Sequence, residues 1–227
     1  MAVDLSAKRG LMKINDSYTL YQQLKVKDLL KNRPPFWWPN YGTFEVLIGA
    51  VLTQNSRWEK VEISLENLRK NKVFTLESLA EVDIDLLMRF IYPSGLYKSK
   101  ASYLKKLSMS ILETYSDFET FAYEVDREWL LAQKGVGPET ADSILCYGCQ
   151  RDVMVVDTYT ARLLEAYGYS FESYDDLQEW CESGIKIHIV PSEYAKYFAD
   201  FHGMIVEYVK QNSQRKHVDI TPLSAHL

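Results

Sequence analysis

Apolar positions recur at helical spacing along most of the chain, and strand-type alternation is scarce. Tyr18 to Asn32 places Leu20, Leu24, Leu29 and Leu30 in register for one helix, which Pro34-Pro35 ends. From Thr43 to Thr53 the run FEVLIGAVLT is apolar nearly all round, so it predicts a helix buried on every side rather than an amphipathic one. Helical patterns follow over Trp58–Lys70, Leu76–Ala80, Ile84–Ile91, Lys98–Tyr115, Phe118–Tyr123 and Glu128–Gln133. After a turn at Gly135-Val136-Gly137 a further helix is expected, with Pro138 at its first position, where a fixed φ suits the helix and the missing N–H costs nothing. Val153–Val156 is the one stretch that looks extended, and a segment so short makes no sheet. Beyond Asp157 the pattern predicts a helix to about Tyr167 closed by Gly168, another near Asp175–Glu182, and a long one from about Ser192 to Lys210. Residues 1–17 and the polar tail Gln211–Leu227 are expected to be loosely ordered. The fold class is all-α, a globule of about ten short helices.

Composition narrows the class. A chain of 227 residues that is 47% hydrophobic can bury a sizeable core, in one domain or two small ones. It has no run of about eighteen apolar residues and no apolar core at its start, so neither a spanning helix nor a signal peptide is expected, and a cytoplasmic location follows. Cys146, Cys149 and Cys181 make no disulfide framework and fit a reducing compartment. The net charge of −5 argues mildly against nucleic acid. Local clusters can still steer a polyanion, and Lys98/Lys100/Lys105/Lys106, Arg57/Lys60 and Lys210/Arg215/Lys216 are candidates, although each taken singly reads first as a solvated helix face.

Two features carry candidate chemistry. Gly135-Val136-Gly137 lets the backbone turn where a Cβ would clash and leaves N–H groups facing outward, which suits a phosphate seat or a plain turn between packed helices. Asp157 follows Val153-Met154-Val155-Val156 and precedes Thr158-Tyr159-Thr160-Ala161, so it is an N-cap whose carboxylate could also serve at a site. Phe36-Trp37-Trp38-Pro39 sets large aromatics in a proline-bounded loop, where they fill a core or aim a flat face at a ligand.

The segments LLAQKGVGPETADSIL and VMVVDTYTAR resemble the helix-hairpin-helix and the following aspartate segment of the endonuclease III superfamily of DNA glycosylases. LIGAVLTQNS resembles that family's buried helix ending in a glutamine loop, and SGLYKSKA its GLYxxKA turn, so residues about 36–210 are covered. PPFWWPN, GAVLTQN, REWLLAQKGVGPETADSILCY and VMVVD are similar to its bacterial 3-methyladenine branch. The resemblance implies a two-lobed helical glycosylase, with 40–150 as the central lobe, 1–39 and 151–227 as the second, and the active-site cleft between them. It implies a monomer that acts on double-stranded DNA containing a damaged base, removing alkylated purines, chiefly N3-methyladenine, with no membrane partner. Oxidised pyrimidines or mismatched bases are the alternative substrates, and a non-catalytic DNA-binding module is the alternative of a different class.

By the same resemblance Asp157 is the catalytic aspartate, and Gly135, Gly137 and Glu139 with Lys134 hold a phosphate. Gln54 enters the space left by a flipped base, Leu96 is the apolar wedge in the opposite strand, and Lys98 and Lys100 contact adjacent phosphates. Trp37 and Trp58 sandwich a cationic base, with Trp38 behind them. Arg57, Asn55 and His202 are weaker candidates. The chain departs from the family in two places. Glu139 stands where lyase members carry a lysine nucleophile, so the backbone-cleaving step is expected to be absent or weak. Only Cys181 follows Cys149, so no iron–sulfur cluster is expected. Cys146-x-x-Cys149 is half a zinc site at most, and no cofactor is expected to be required. A monovalent cation on hairpin carbonyls would fit the family.

Overall fold

The computed structural model of the chain describes residues 3–4, 14–215 and 217–224. In chain order these form β1 (Val3–Asp4), α1 (Ser17–Lys25), α2 (Phe44–Leu52), α3 (Trp58–Lys70), α4 (Leu76–Glu81), α5 (Ile84–Phe90), α6 (Tyr97–Tyr115), α7 (Phe118–Glu124), α8 (Arg127–Leu131) and α9 (Pro138–Ser143). Then come α10 (Thr158–Ala166), β2 (Tyr169–Ser170), α11 (Tyr174–His188), α12 (Tyr194–Gln211), β3 (Ser213–Gln214), β4 (His217–Val218) and α13 (Thr221–Ser224). The all-α expectation holds, since the strands are two-residue pairings, β1 with β2 and β3 with β4.

Helices this short need satisfied ends, and the sequence supplies them. Asp16, Asp83, Asp117 and Asp126 each accept a hydrogen bond from a first-turn N–H of the helix they precede, and Thr75 with Ser78 closes a capping box on α4. Each such cap contributes about 1 kcal/mol.

By density of contacts the chain separates into one unit spanning residues 40–150 and a second formed by the segments before Asn40 and after Gln150. In the first, α2 buries every residue but Glu45, as its all-round apolar pattern requires. It packs against α3, α6 and α9, and α9 runs on without interruption as a π-helical turn, Ile144–Gly148, that is wholly buried.

In the second unit Leu20, Leu24, Leu163, Leu164, Ile185, Phe198, Phe201 and Ile205 form the core in which α1, α10, α11 and α12 meet. The run Met154–Val156 is buried and unpaired with any strand among the described residues. Its backbone is satisfied by side chains instead: Met154 N–H donates to Glu182 Oε1 at 3.0 Å, and Gln178 Nε2 donates to the Met154 carbonyl at 2.6 Å.

Three expectations are corrected. α1 stops at Lys25, short of Asn32, and α11 runs to His188, well past Glu182. The tail is not frayed over its described part: β3 and β4 turn back, Tyr208 Oη donates to the Asp219 carbonyl at 2.7 Å, and Val218 and Leu223 enter the core. At the other end Ile14 is buried and Ser17 already belongs to α1, while residues 5–13 lie outside the described ones. Leu223→Ala should therefore cost about 2–4 kcal/mol in urea unfolding, a core-sized loss from a residue of the polar tail.

Candidate active site

The hairpin is built from α8, the Gly135–Gly137 turn and α9. Arg127 Nε and Nη2 bond Asp142 Oδ1 and Oδ2 at 2.8 and 3.2 Å, with the carboxylate fully buried, so the two helices are clamped together by charge. Gly135 has φ +87°, and a Cβ there would collide with the Tyr103 ring, so this glycine is required twice over. Gly137 is different: its φ is −96° and a Cβ would meet nothing within 4 Å. The expectation that both glycines answer a backbone clash is corrected for Gly137, whose outer side is open. Pro138 opens α9 as expected, and Lys134, Gly137 and Glu139 are exposed around the turn.

The same unit holds the loop after α2 and the turn before α6. Gln54 Nε2 donates to the Gly135 carbonyl at 2.8 Å and to Thr140 Oγ1 at 3.1 Å, so the glutamine loop is tied to the hairpin. Leu96 is 61% exposed and left-handed at φ +45°, a conformation that costs a non-glycine residue about 1–2 kcal/mol. Lys98 is exposed beside it. Lys100 is not a phosphate contact. It is 1% exposed, and its Nζ donates to the carbonyls of Leu52 and Ser94 at 2.8 and 2.7 Å. Burial pulls this ammonium down to about 8, and the group fastens the end of α2 to the Leu96 turn. Trp58 opens α3, half-buried, and Arg57 and Asn55 before it are exposed.

In the other unit one continuous set of contacts joins five side chains. Asp157 caps α10: its Oδ1 accepts from the Thr160 N–H at 2.8 Å and from Thr160 Oγ1 at 3.1 Å. Its Oδ2 lies 3.5 Å from His202 Nε2 on α12. Burial pushes the Asp157 carboxyl upward, but the His202 contact and the Thr160 bonds outweigh it and hold the group below the usual carboxylate range. An ionised carboxylate is thus kept in a largely buried position at neutral pH. The His202 ring stands edge-on to Trp37 at 5.2 Å, and Trp37 in turn meets buried Trp38 at 6.0 Å.

Trp37 is held in place on three sides. Its φ is +66° and that of Phe36 +59°, two successive left-handed residues fixed by Trp37 N–H to Pro34 O at 2.9 Å and Trp38 N–H to Phe36 O at 2.8 Å. Its side chain lies directly on Gly203, where a Cβ would come within 2.5–2.6 Å of Trp37 Cγ and Cβ. Its Nε1 donates to Glu207 Oε1 at 3.0 Å, and Glu207 also pairs with Arg33.

Sequence reasoning ranked His202 low and missed Glu207 and Arg33. A signal for Glu207 is present, an acid inside the otherwise apolar run Gly203–Val209, every residue of which is buried.

The three cysteines are buried, and a four-thiolate cluster cannot be assembled from three. Among the described residues no three His, Cys, Asp or Glu side chains converge as a metal site would need. The hairpin carbonyls are the groups that would hold a monovalent cation. Gly135 O and Gln133 O already accept Gln54 Nε2 and the Val136 N–H, and each keeps a second lone pair for an ion. No helix among the described residues is long and apolar enough to cross a membrane.

Helical units, a capped aspartate and a glycine hairpin define a class that comparison with known proteins names. The chain belongs to the HhH-GPD superfamily of base excision DNA repair proteins, whose model matches residues 48–186. It is a DNA glycosylase. It is similar to the Methanocaldococcus jannaschii protein named "Putative DNA repair glycosylase MJ1434", at 36% identity over 187 residues, which are 79% of this chain and 82% of the relative. It also resembles the crystal structure of the H. pylori 3-methyladenine DNA glycosylase bound to 1,N6-ethenoadenine, with TM-score 0.83 and 43% identity over 88% of this chain and 99% of that one. A non-covalent endonuclease III–DNA complex shares the fold, with TM-score 0.68 at 21% identity, over 93% of this chain and 94% of that one.

Proposed function

We propose that this glycosylase is monofunctional and removes alkylated purines, chiefly N3-methyladenine, from duplex DNA by hydrolysis. The observation that carries the reading is the line Asp157–His202–Trp37, which sets an ionised carboxylate and an aromatic face on neighbouring side chains. The identity to the H. pylori enzyme supports the same substrate.

The chemistry follows from charge. An N3-methylated adenine is a cation, so it leaves without a strong general acid and stacks well on an indole. Trp37 and Trp58 supply the aromatic faces, with Trp38 behind Trp37. As the glycosidic bond breaks, positive charge develops on the deoxyribose, and the Asp157 carboxylate stabilises it and orients the attacking water. The hairpin residues Lys134, Gly135, Gly137 and Glu139 hold a phosphate without reading sequence, and the open side of Gly137 lets the phosphate approach the backbone. Leu96 and Gln54 fill the stack that the extruded base vacates. Glu139 cannot form an imine, so water is the nucleophile and the strand stays intact. The enzyme acts as a monomer, and none of these steps uses an ion.

The test uses duplexes each bearing one defined lesion. Release of free N3-methyladenine is expected, without strand cleavage and without a borohydride-trapped adduct, and Trp58→Ala should slow it about tenfold or more. Faster release of an oxidised pyrimidine or a mismatched base would overturn the substrate assignment. Salt-dependent binding with no release from any lesion would reduce the protein to a binding module.

A further inference from the structure

Glu207 has no part in the chemistry above, yet it is an acid in the most buried stretch of α12. Removing a carboxylate from water is costly, and a glutamine would accept the same indole N–H, so the hydrogen bond alone does not account for a charge here. What the charge adds is a field. Arg33, its partner, is half exposed, so solvent screens the guanidinium, while Glu207 is 3% exposed and is not screened in this way. The less screened charge beside the Trp37 indole is therefore negative. It sits at the N–H edge of the ring, 3.0 Å from Nε1, where it pushes electron density towards the faces and deepens the negative potential that attracts cations.

We propose that Glu207 is a specificity-determining residue, which through the Trp37 N–H makes the indole face select positively charged bases over neutral ones of the same shape. The seat on Gly203 keeps the ring where this bond is made, since the glycine lets Trp37 lie against the helix backbone that carries Glu207. The proposal rests on the reading of Trp37 as a base-stacking residue, and the experiment separates the two.

Binding of two free ligands is followed by tryptophan fluorescence at pH 8: the 3,9-dimethyladeninium cation and its neutral isostere, 3-deaza-3,9-dimethyladenine. Glu207→Gln is expected to weaken the cation about fivefold to tenfold and the isostere less than about twofold. Equal weakening of both ligands would make Glu207 a merely structural support, and no change in either would also overturn the proposal. Trp37→Ala reports on the underlying reading, since wild-type binding of both ligands by that variant would remove Trp37 from the site. If Trp37→Ala loses both ligands while Glu207→Gln matches wild type, only the present inference fails. Should Glu207→Gln not fold, Glu207→Asp keeps the charge but draws the carboxylate back from the N–H edge of the unaltered indole. It must then lose more affinity for the cation than for the isostere, and an equal loss overturns the proposal.

Discussion

Asp157→Asn is expected to fold as wild type does and to release N3-methyladenine from methylated duplex about 10²–10³-fold more slowly in single-turnover assays. Asparagine is as good an N-cap as aspartate, and its amide oxygen can accept the two Thr160 hydrogen bonds that Oδ1 accepts now. What is lost is the negative charge facing the developing positive one, so duplex affinity should survive while the rate falls. Equal rates for the two proteins would end the catalytic assignment. The pH dependence has a definite sign. Burial acts upward on this carboxyl, the His202 contact and the Thr160 bonds act downward, and the balance is downward. The wild-type rate should therefore show no loss from Asp157 protonation as pH falls from neutral into the ordinary carboxylate range, and that loss should come only below the range. Its contribution to stability is present above the unfolded-state value and disappears as pH falls through the lower folded-state value.

Arg127→Ala should cost about 3 kcal/mol or more of unfolding free energy, because it takes the guanidinium from a carboxylate that has no exposed surface. Asp142→Ala should cost less, since Arg127 is a third exposed and can turn its charge to water. The pair Arg127→Met with Asp142→Leu should recover much of the loss by replacing charge with apolar packing. Urea titration gives these values, and a double-mutant cycle gives their coupling. Because the pair joins α8 to α9, Arg127→Ala should also weaken binding to undamaged duplex, which a fluorescence anisotropy titration reads. A variant with wild-type stability and binding would show that the hairpin does not depend on this clamp.

Much of the architecture was legible from local pattern. The period of apolar residues placed α3 at Trp58–Lys70, and the all-round apolar run announced the burial of α2. Asp157 was legible as a cap because capping is a local event, settled within three residues. The misreadings share one physical origin, which is that the sign of a residue's role depends on partners far away in sequence. Lys100 reads as a solvated lysine until the carbonyls of Leu52 and Ser94 close around it. The link from Trp37 to Glu207 spans 170 positions, and no periodicity registers it. The tail looked too polar to order, but Val218 and Leu223 are enough to dock it once Tyr208 bonds Asp219. Gly137 differs in the other direction, since the paired glycines suggest an internal clash while the free side of this one faces outward.

One rod carries much of the machinery of the second unit. His202, Gly203 and Glu207 lie within six consecutive residues of α12, so the histidine that steadies Asp157, the seat of the Trp37 ring and the acid at its N–H edge are separated by less than two turns. A helix does not stretch, so the spacing among these three is fixed by covalent geometry and hydrogen bonding rather than by side-chain packing. Substitutions around the core can tilt or slide the rod, and the carboxylate's partner and the ring's support then travel together. The consequence is evolutionary as much as mechanical. Drift in the core of this unit shifts the parts proposed to break the bond and sense the base as a set, whereas, on that proposal, a new lesion preference is open to changes in Trp37 and the strained loop that bears it, which leave the rod untouched.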